Sequence, residues 1–203
     1  MVFYGRVHLS GYSNKWTAII EGNYWSDYNI SDPDYDGVGN SPVTIDANNN
    51  DSNPLINPVL LFQAGVWDGE TYHIAISSNS TISDFSFDPS PDSRLIKLNV
   101  TGEDGSQGIC RVMFKYKLLW VDDGWTIRIG GAPPVYASLT DGIYNSIHFS
   151  YQHSTKTVEI QGTHAIPEFP QAITLLLLII ATTLIALHLK QGPIKRALFH
   201  LSS

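Results

Sequence analysis

Residues 110–114 read Cys110-Arg111-Val112-Met113-Phe114, and Tyr116 continues the same alternation of apolar and other residues. A period of two is typical of a β-strand with one buried face. The pattern therefore predicts a strand with Cys110 on its apolar face. Cys110 is the only cysteine of the chain. We expect a buried, inert thiol, with a reactive or metal-binding thiol as the alternative.

The same alternation recurs on both sides of this stretch, and turn-forming residues separate the runs. We therefore predict a mainly β chain, with seven or eight strands of an antiparallel, immunoglobulin-like β-sandwich over residues 59–163. An open barrel is the alternative. The apolar positions of the runs are Tyr72, Ile74 and Ile76; Ile96, Leu98 and Val100; Trp125, Ile127 and Ile129; Ile147, Phe149 and Tyr151; and Val158 and Ile160.

Composition excludes two classes of protein. A single cysteine cannot form the disulfide framework of a small secreted scaffold, so an apolar core must hold the fold. All 19 acidic residues precede Ala172, together with nine of the 12 basic residues. Nucleic acid needs a basic partner surface, and this part of the chain is acidic. Nucleic acid is therefore excluded as a partner.

Residues 172–189 read AITLLLLIIATTLIALHL and contain no Asp, Glu, Lys or Arg. About 20 apolar residues suffice for a helix to cross the hydrocarbon core of a membrane. We predict one transmembrane helix here. The basic residues Lys190, Lys195 and Arg196 follow it at once, so the positive-inside rule places residues 190–203 in the cytoplasm and the acidic bulk outside the cell.

The predicted linker, residues 164–171, contains Ile166-Pro167-Glu168-Phe169-Pro170. Two prolines keep a helix from running back through this stretch. Pro-Glu-Phe-Pro, then an apolar span, then basic residues resembles the C-terminal anchoring tails of archaeal surface proteins. The resemblance implies a permanent anchor or a processed sorting signal. No secretory signal peptide is visible at Met1, so we expect a fragment of a longer exported protein, with a tail anchor as the alternative.

Residues 27–51 hold six aspartates and no lysine or arginine. The alternation of Asp32, Asp34 and Asp36, followed by a glycine, lets three carboxylates of a tight turn face one point. Calcium takes about six to eight oxygen ligands, and a structural calcium ion would offset the repulsion among the carboxylates. An EF-hand would carry Glu where this chain has Val43. The alternative is a solvated turn. The predicted calcium ligands are Asp32, Asp34, Asp36, the carbonyl of Val38, Asn40 and Asp46.

Three motifs flank this loop and follow it: Gly22-Asn23-Tyr24-Trp25-Ser26-Asp27-Tyr28, Ser41-Pro42-Val43-Thr44-Ile45-Asp46 and Asn53-Pro54-Leu55. Together they resemble the terminal segment of NosD-type right-handed parallel β-helix proteins, over residues 1–58. The resemblance implies that these residues form the last rung or cap of a β-helix. It also implies a link to copper, because NosD is associated with copper supply to nitrous oxide reductase.

The sequence itself argues against copper as a cofactor. None of the seven histidines forms an H-x-H or H-x₃-H pair, and copper sites usually bring imidazole or sulfur ligands together. His148 and His153 are close in sequence, and we predict them to be solvated or at the rim of the fold. Four sequons precede the anchor, and glycosylation is predicted at Asn29, Asn50, Asn79 and Asn99.

No nucleophile elbow, phosphate-binding glycine loop or zinc-type histidine pair occurs in the chain. The sequence therefore predicts a non-enzymatic, membrane-anchored surface protein, a stalk, adhesin or binding module. Its predicted partners are membrane lipid, surface glycans and other envelope proteins. One alternative is the end of a carbohydrate-active β-helix enzyme, and a further alternative is a copper-handling accessory protein.

Overall fold

A computed structural model of the chain describes residues 22–166 and 178–189. Extended segments dominate the first range. Thirteen strands follow in chain order: β1 Val43–Asp46, β2 Asn49–Asp51, β3 Val59–Trp67, β4 Glu70–Ser78, β5 Thr81–Asp88, β6 Leu95–Thr101, β7 Gln107–Lys115, β8 Leu119–Trp120, β9 Thr126–Ile129, β10 Tyr136–Thr140, β11 Tyr144–Gln152, β12 Lys156–Gln161 and β13 His164–Ala165.

Two antiparallel sheets form most of the structure. The five-stranded sheet has the order β10-β11-β7-β4-β3, and the four-stranded sheet has the order β5-β6-β12-β9. Two smaller pairs, β1 with β2 and β13 with β8, are also antiparallel. The prediction of a mainly β chain with antiparallel sheets is therefore confirmed.

Both large sheets contribute to a single apolar core, because their alternating residues point to it from β4, β6, β7, β11 and β12. Phe114 of β7 and Phe149 of β11 are its largest fully buried side chains. Aromatic rings also meet edge to face in it, as between Phe114 and Trp125, whose centroids are 5.6 Å apart. The apolar face that alternation predicted for Cys110 is this core, where the residue is fully buried.

Residues 59–165 form eleven strands, more than the seven or eight expected. Several of the additional strands lie at the edge of a sheet, where burial on one face is incomplete. β3 and β10 border the five-stranded sheet, and β5 borders the four-stranded one. Exposed apolar residues such as Leu61 on β3 and Leu139 on β10 weaken the alternation there. These three edge strands therefore left little signal in the sequence, whereas the edge strand β9 alternates and was predicted.

The predicted linker begins too early. His164 and Ala165 form β13 and pair with Trp120 and Leu119 of β8. Ile166 follows, donates its backbone N–H to the carbonyl of Leu118 at 2.9 Å and belongs to the core. An apolar side chain at this position favours burial, so the ordered β-rich unit extends to Ile166. The rest of the predicted linker, residues 167–171, lies outside the described residues.

Residues 22–58 belong to the same compact unit as the sheets. Gly22 donates its N–H to Asn53, and Leu55 donates its N–H to Asn23, each at 2.9 Å. Tyr24 and Leu55 form a parallel β-bridge. The segment also contacts the five-stranded sheet, where Ser77 of β4 donates its hydroxyl to the carbonyl of Asn57.

A helix, α1, spans residues 178–189 and is described on its own. Its leucine and isoleucine side chains are all exposed, from 46% for Ile180 to 70% for Leu189. Among residues 22–166 and 178–189, the structure contains no helix that is both long enough and apolar enough to cross a membrane.

Candidate metal centre

The loop between Ser31 and Asn40 gathers three carboxylates. Asp32, Asp34 and Asp36 each offer an oxygen atom, and these three atoms lie within 4.8 Å of one another. Asp34 is exposed, whereas Asp32 and Asp36 are half-buried. Within the described part of the chain, this is the one group of three or more Asp, Glu, His or Cys residues with such spacing. It contains three of the six predicted calcium ligands.

The carboxylates also hold the loop in shape. Asp32 accepts the backbone N–H groups of Asp36, at 3.1 Å, and of Gly37, at 3.0 Å. Asp36 accepts the N–H of Val38 at 2.7 Å. Gly37 has a φ of +88°, a left-handed conformation that a residue with a Cβ adopts at a cost. Part of the acceptor capacity of the cluster therefore serves the turn itself.

A buried arginine anchors the loop to the five-stranded sheet. Arg111 of β7 has a side chain that is only 3% exposed. Its Nε and Nη2 donate to the carbonyl of Asp36 at 3.1 and 2.9 Å, and Nη2 lies 3.3 Å from the Asp36 carboxylate. Its Nη1 donates to the hydroxyl of Ser146 on β11 at 3.2 Å. One cation therefore offsets part of the negative charge of the cluster.

Sequence reasoning missed Arg111, because its position in the alternation places it opposite Cys110 and Val112, on the face predicted to be polar. The available signal was weak: a single charged residue between Ile109 and Phe114, in a strand whose neighbours are apolar. Nothing local identifies its partner Asp36, which lies 75 residues earlier in the chain.

Local electrostatics shift two groups at this site. Burial raises the pKa of the Asp32 carboxyl, and the N–H groups of Gly37 and Asp36 offset part of that rise. Burial, followed by the nearby charge of Arg111, lowers the pKa of His148, although Asp36 and Asp34 act in the opposite direction. A metal ion needs the ionised form of Asp32, so acidification through its raised pKa would weaken binding.

The other three predicted ligands make contacts of their own. Val38 forms an antiparallel bridge with Leu55. Asn40 is exposed and donates its backbone N–H to the carbonyl of Ser31. Asp46 does not join the cluster. Its carboxylate accepts the N–H of Asn48 and the side-chain amide of Asn49, each at 2.8 Å, in the turn between β1 and β2. The predicted closure of the site by Asp46 is therefore wrong.

Calcium binding by the loop stays a prediction, and thermal unfolding of the full chain tests it. Calcium at a hundred times its Kd should stabilise the protein by about 2.7 kcal/mol relative to chelator, because a ligand bound to the native state adds its binding free energy. Asp34→Asn should remove most of this effect, because it takes one carboxylate from the cluster. The turn itself should persist, because the backbone N–H groups of the loop donate to Asp32 and Asp36.

The matched control for that measurement is Asp123→Asn, which changes an exposed aspartate in the turn before β9. It should leave the calcium response intact. Equal melting temperatures in calcium and in chelator would refute the calcium site.

Cys110 offers no reactive chemistry in the folded protein. Burial raises the pKa of its thiol to about 12, an effect that the Ser78 hydroxyl only partly offsets. At pH 8 roughly one thiol in ten thousand would then be ionised, and the thiolate is the nucleophile. We expect no reaction with a disulfide reagent in the native state and one equivalent in denaturant. Rapid native labelling would contradict the buried position.

The prediction of solvated or rim histidines is wrong for His153, which follows β11 and is only 6% exposed. Its Nε2 lies 2.7 Å from the Ser80 hydroxyl, which in turn lies 2.7 Å from the hydroxyl of Tyr151. Its Nδ1 lies 2.6 Å from the hydroxyl of Ser106, which donates to the carbonyl of Glu103 and therefore accepts from Nδ1–H. Polar partners on two other segments, Ser80 and Ser106, let the imidazole be buried.

The distance of 2.7 Å between the Ser80 hydroxyl and His153 Nε2 is the one expected for a serine nucleophile beside a general base, but the site lacks the exposure that a nucleophile needs. Ser80 is 9% exposed and Tyr151 is 7% exposed, so the hydroxyl is shielded from any large substrate. Burial raises the pKa of Tyr151 to about 12. The arrangement therefore stabilises the junction of β5, β7 and β11 and does not form an open reaction centre.

The four predicted glycosylation sites differ in their surroundings. Asn29 and Asn50 are exposed. The amide of Asn79 bridges the backbone of β7, donating to the carbonyl of Gln107 and accepting the N–H of Ile109, each at 2.8 Å. Asn99 is only half-buried, and its amide nitrogen donates to Asp84 at 2.8 Å. Glycosylation at all four positions stays a prediction.

The predicted membrane-orienting residues Lys190, Lys195 and Arg196 lie outside the described residues, as do residues 1–21 of the predicted β-helix segment. Of the histidines in the described part, none belongs to the carboxylate cluster. A role in copper handling stays untested. In comparisons with known proteins, no protein-family model, curated protein or solved structure matches the chain.

Proposed function

We propose that this chain is a non-enzymatic cell-surface protein, anchored by residues 172–189 with its acidic β-rich unit outside the cell and residues 190–203 in the cytoplasm. One observation carries the proposal. Residues 172–189 contain no Asp, Glu, Lys or Arg, and α1 within them leaves all its leucine and isoleucine side chains exposed. Apolar surface in water costs about 25 cal/mol per Å², a cost that a hydrocarbon environment removes.

Residues 1–58, of which the structure describes 22–58, are proposed to be the end of a NosD-like parallel β-helix. Support comes from the way in which the quoted motifs meet. Tyr24 of the first motif and Leu55 of the last are 31 residues apart and form a parallel bridge, a pairing that successive rungs of a parallel β-helix also make. Their neighbours add backbone hydrogen bonds between Gly22 and Asn53 and between Leu55 and Asn23.

Residues 59–166 are proposed to form an immunoglobulin-like β-sandwich that acts as a spacer or binding unit. The two antiparallel sheets and their common core support this architecture. Surface glycans and other envelope proteins are the proposed partners of the displayed unit, and membrane lipid is the proposed partner of the anchor.

Two arginines in the anchor test the proposal. Replacing both Ile180 and Leu184 by Arg should move the chain out of the membrane fraction, because each arginine at the centre of a span costs about 2.5–3.5 kcal/mol. The measurement is the amount of chain that stays with membranes after an alkaline carbonate wash.

The matched control replaces two exposed apolar residues of the β-rich unit, Val135 and Ile143, by Arg. They are 92% and 64% exposed. This variant should stay in the membrane fraction. A double anchor variant that resists the carbonate wash as well as the unchanged chain does would overturn the proposal.

A further inference from the structure

A cavity of about 230 Å³ lies on the outer face of the four-stranded sheet. The inner face of β9 and β12 carries the buried Ile127, Ile129, Val158 and Ile160, so the intervening residues face outward. The loop between β5 and β6 forms the remaining side of the cavity. The lining residues are Asp92, Ser93, Leu95, Thr126, Arg128, Glu159 and Gln161.

Hydrogen bonds hold the loop in one shape beside the cavity. Ser93 and Arg94 both donate their N–H to the carbonyl of Ser90, at 2.9 and 3.1 Å. Gln161 of β12 donates its side-chain amide to the carbonyl of Ser93 at 3.0 Å, and Gly162 donates to the carbonyl of Arg94. Arg94 has a φ of +49°, a strained conformation for a residue with a side chain. The cavity is therefore preorganised.

Of two oppositely charged residues that line the cavity, Glu159 has an ion-pair partner and Arg128 has none among the described residues. Arg128 stands opposite Glu159 across β9 and β12, but the Glu159 carboxylate lies 3.2 Å from the ammonium group of Lys97. Among the described residues the guanidinium of Arg128 forms no ion pair or hydrogen bond. Its planar fork of N–H donors matches a carboxylate in two-point geometry. A ligand with a carboxylate would use this donor set.

The rest of the lining suits hydroxyl groups. Carboxylates of Asp92 and Glu159 accept O–H donors, and the hydroxyls of Ser93 and Thr126 both donate and accept. Leu95 adds an apolar contact. The volume is below the ~300–1,000 Å³ of sites for drug-sized ligands, so the cavity suits one ring. A ligand with a carboxylate but no hydroxyl groups would donate no hydrogen bond to these acceptors.

We propose that the cavity binds a single hexuronate ring, the acidic residue of a glycan, with its carboxylate on Arg128 and its hydroxyls on the polar rim. This inference rests on the proposed function, because it names the class of surface glycan that the displayed β-rich unit would bind. The half-open cavity leaves room for the rest of a glycan chain to extend into solvent.

Calorimetric titration of the full chain with glucuronate, glucose and acetate tests the proposal. The detergent that keeps the chain in solution should have a zwitterionic headgroup, since a sugar headgroup would compete. Glucuronate should bind saturably and about tenfold more tightly than glucose, because a charge-assisted bidentate contact exceeds a neutral one. Acetate should bind more weakly than glucuronate, because it lacks the hydroxyls.

Arg128→Gln should reduce the affinity for glucuronate about tenfold and leave that for glucose unchanged. The matched control is Lys117→Gln, which removes an exposed cation outside the cavity. Absence of saturable glucuronate binding, equal affinities for glucuronate and glucose, or equal losses in the two variants would overturn the proposal. None of these results would affect the membrane proposal, because the titration contains no membrane.

Discussion

Replacing Asp51 by Ala is expected to lower the free energy of unfolding by about 3–5 kcal/mol. Asp51 lies on β2 with no exposed surface. Its carboxylate accepts the N–H of Asn23 at 2.7 Å, the indole N–H of Trp25 at 2.9 Å and the N–H of Asn53 at 3.2 Å. Alanine would leave these donors without their charged acceptor, and the indole N–H of the buried Trp25 would lose its partner away from water.

Thermal unfolding measures this effect, and the near-ultraviolet circular dichroism of the five tryptophans should change with the surroundings of Trp25. The matched control is Asp46→Ala, which removes a carboxylate from the partly exposed turn between β1 and β2. The control should cost about 1 kcal/mol, because the Asp46 carboxylate is removed where it is partly exposed to water. If both variants lose the same small amount, Asp51 does not organise residues 22–58.

Arg111→Met should destabilise the protein by about 3 kcal/mol. Methionine replaces much of the side-chain volume but leaves the Asp36 carbonyl and the Ser146 hydroxyl without their donor. We expect the lower end of the range for a broken buried ion pair, because the Asp36 side chain is 32% exposed. Each 1 kcal/mol lowers the Tm of a protein of this size by about 2–4 °C, so a drop near 10 °C is expected.

The matched control is Lys97→Met, which removes the exposed partner of Glu159. Exposed ion pairs contribute about 0–1 kcal/mol, so its Tm should hardly change. Hydrogen exchange of the N–H groups of Asp36 and Gly37 should accelerate in Arg111→Met alone. A similar Tm for both variants would show that Arg111 does not anchor the aspartate loop.

The alternation of residues predicted the central strands well, because a strand whose sheet packs one face on the core buries every second side chain there. Ile74, Ile76, Val112 and Phe114 were assigned to the correct face on this basis. Edge strands were missed where exposed apolar residues, as in β3, disturb the pattern. His153 was misjudged because a histidine beside turn residues has the same local signature whether it is solvated or hydrogen-bonded inside the fold.

The clustering of Asp32, Asp34 and Asp36 was predictable from their spacing, since only a few residues of one turn are involved. Asp46 was wrongly added, because its distance from that turn depends on where the β1–β2 hairpin lies. Val38 and Asn40 are near the cluster in sequence, but their backbone N–H groups close the turn itself, that of Val38 donating to Asp36 and that of Asn40 to Ser31. Proximity in sequence therefore identified the cluster and did not define its outer ligands.

The sequence by itself determined the β character of the chain, the burial of Cys110, the acidic turn and the uncharged run of residues 172–189. These features depend on a local period, on local spacing or on composition. Tertiary structure alone decided that Arg111 contacts Asp36, that the Asp51 carboxylate accepts N–H groups from residues 23, 25 and 53, and that Arg128 borders a cavity. Those contacts join residues that are far apart in the chain and that the folded structure brings together. The sequence around a side chain does not identify such a distant partner.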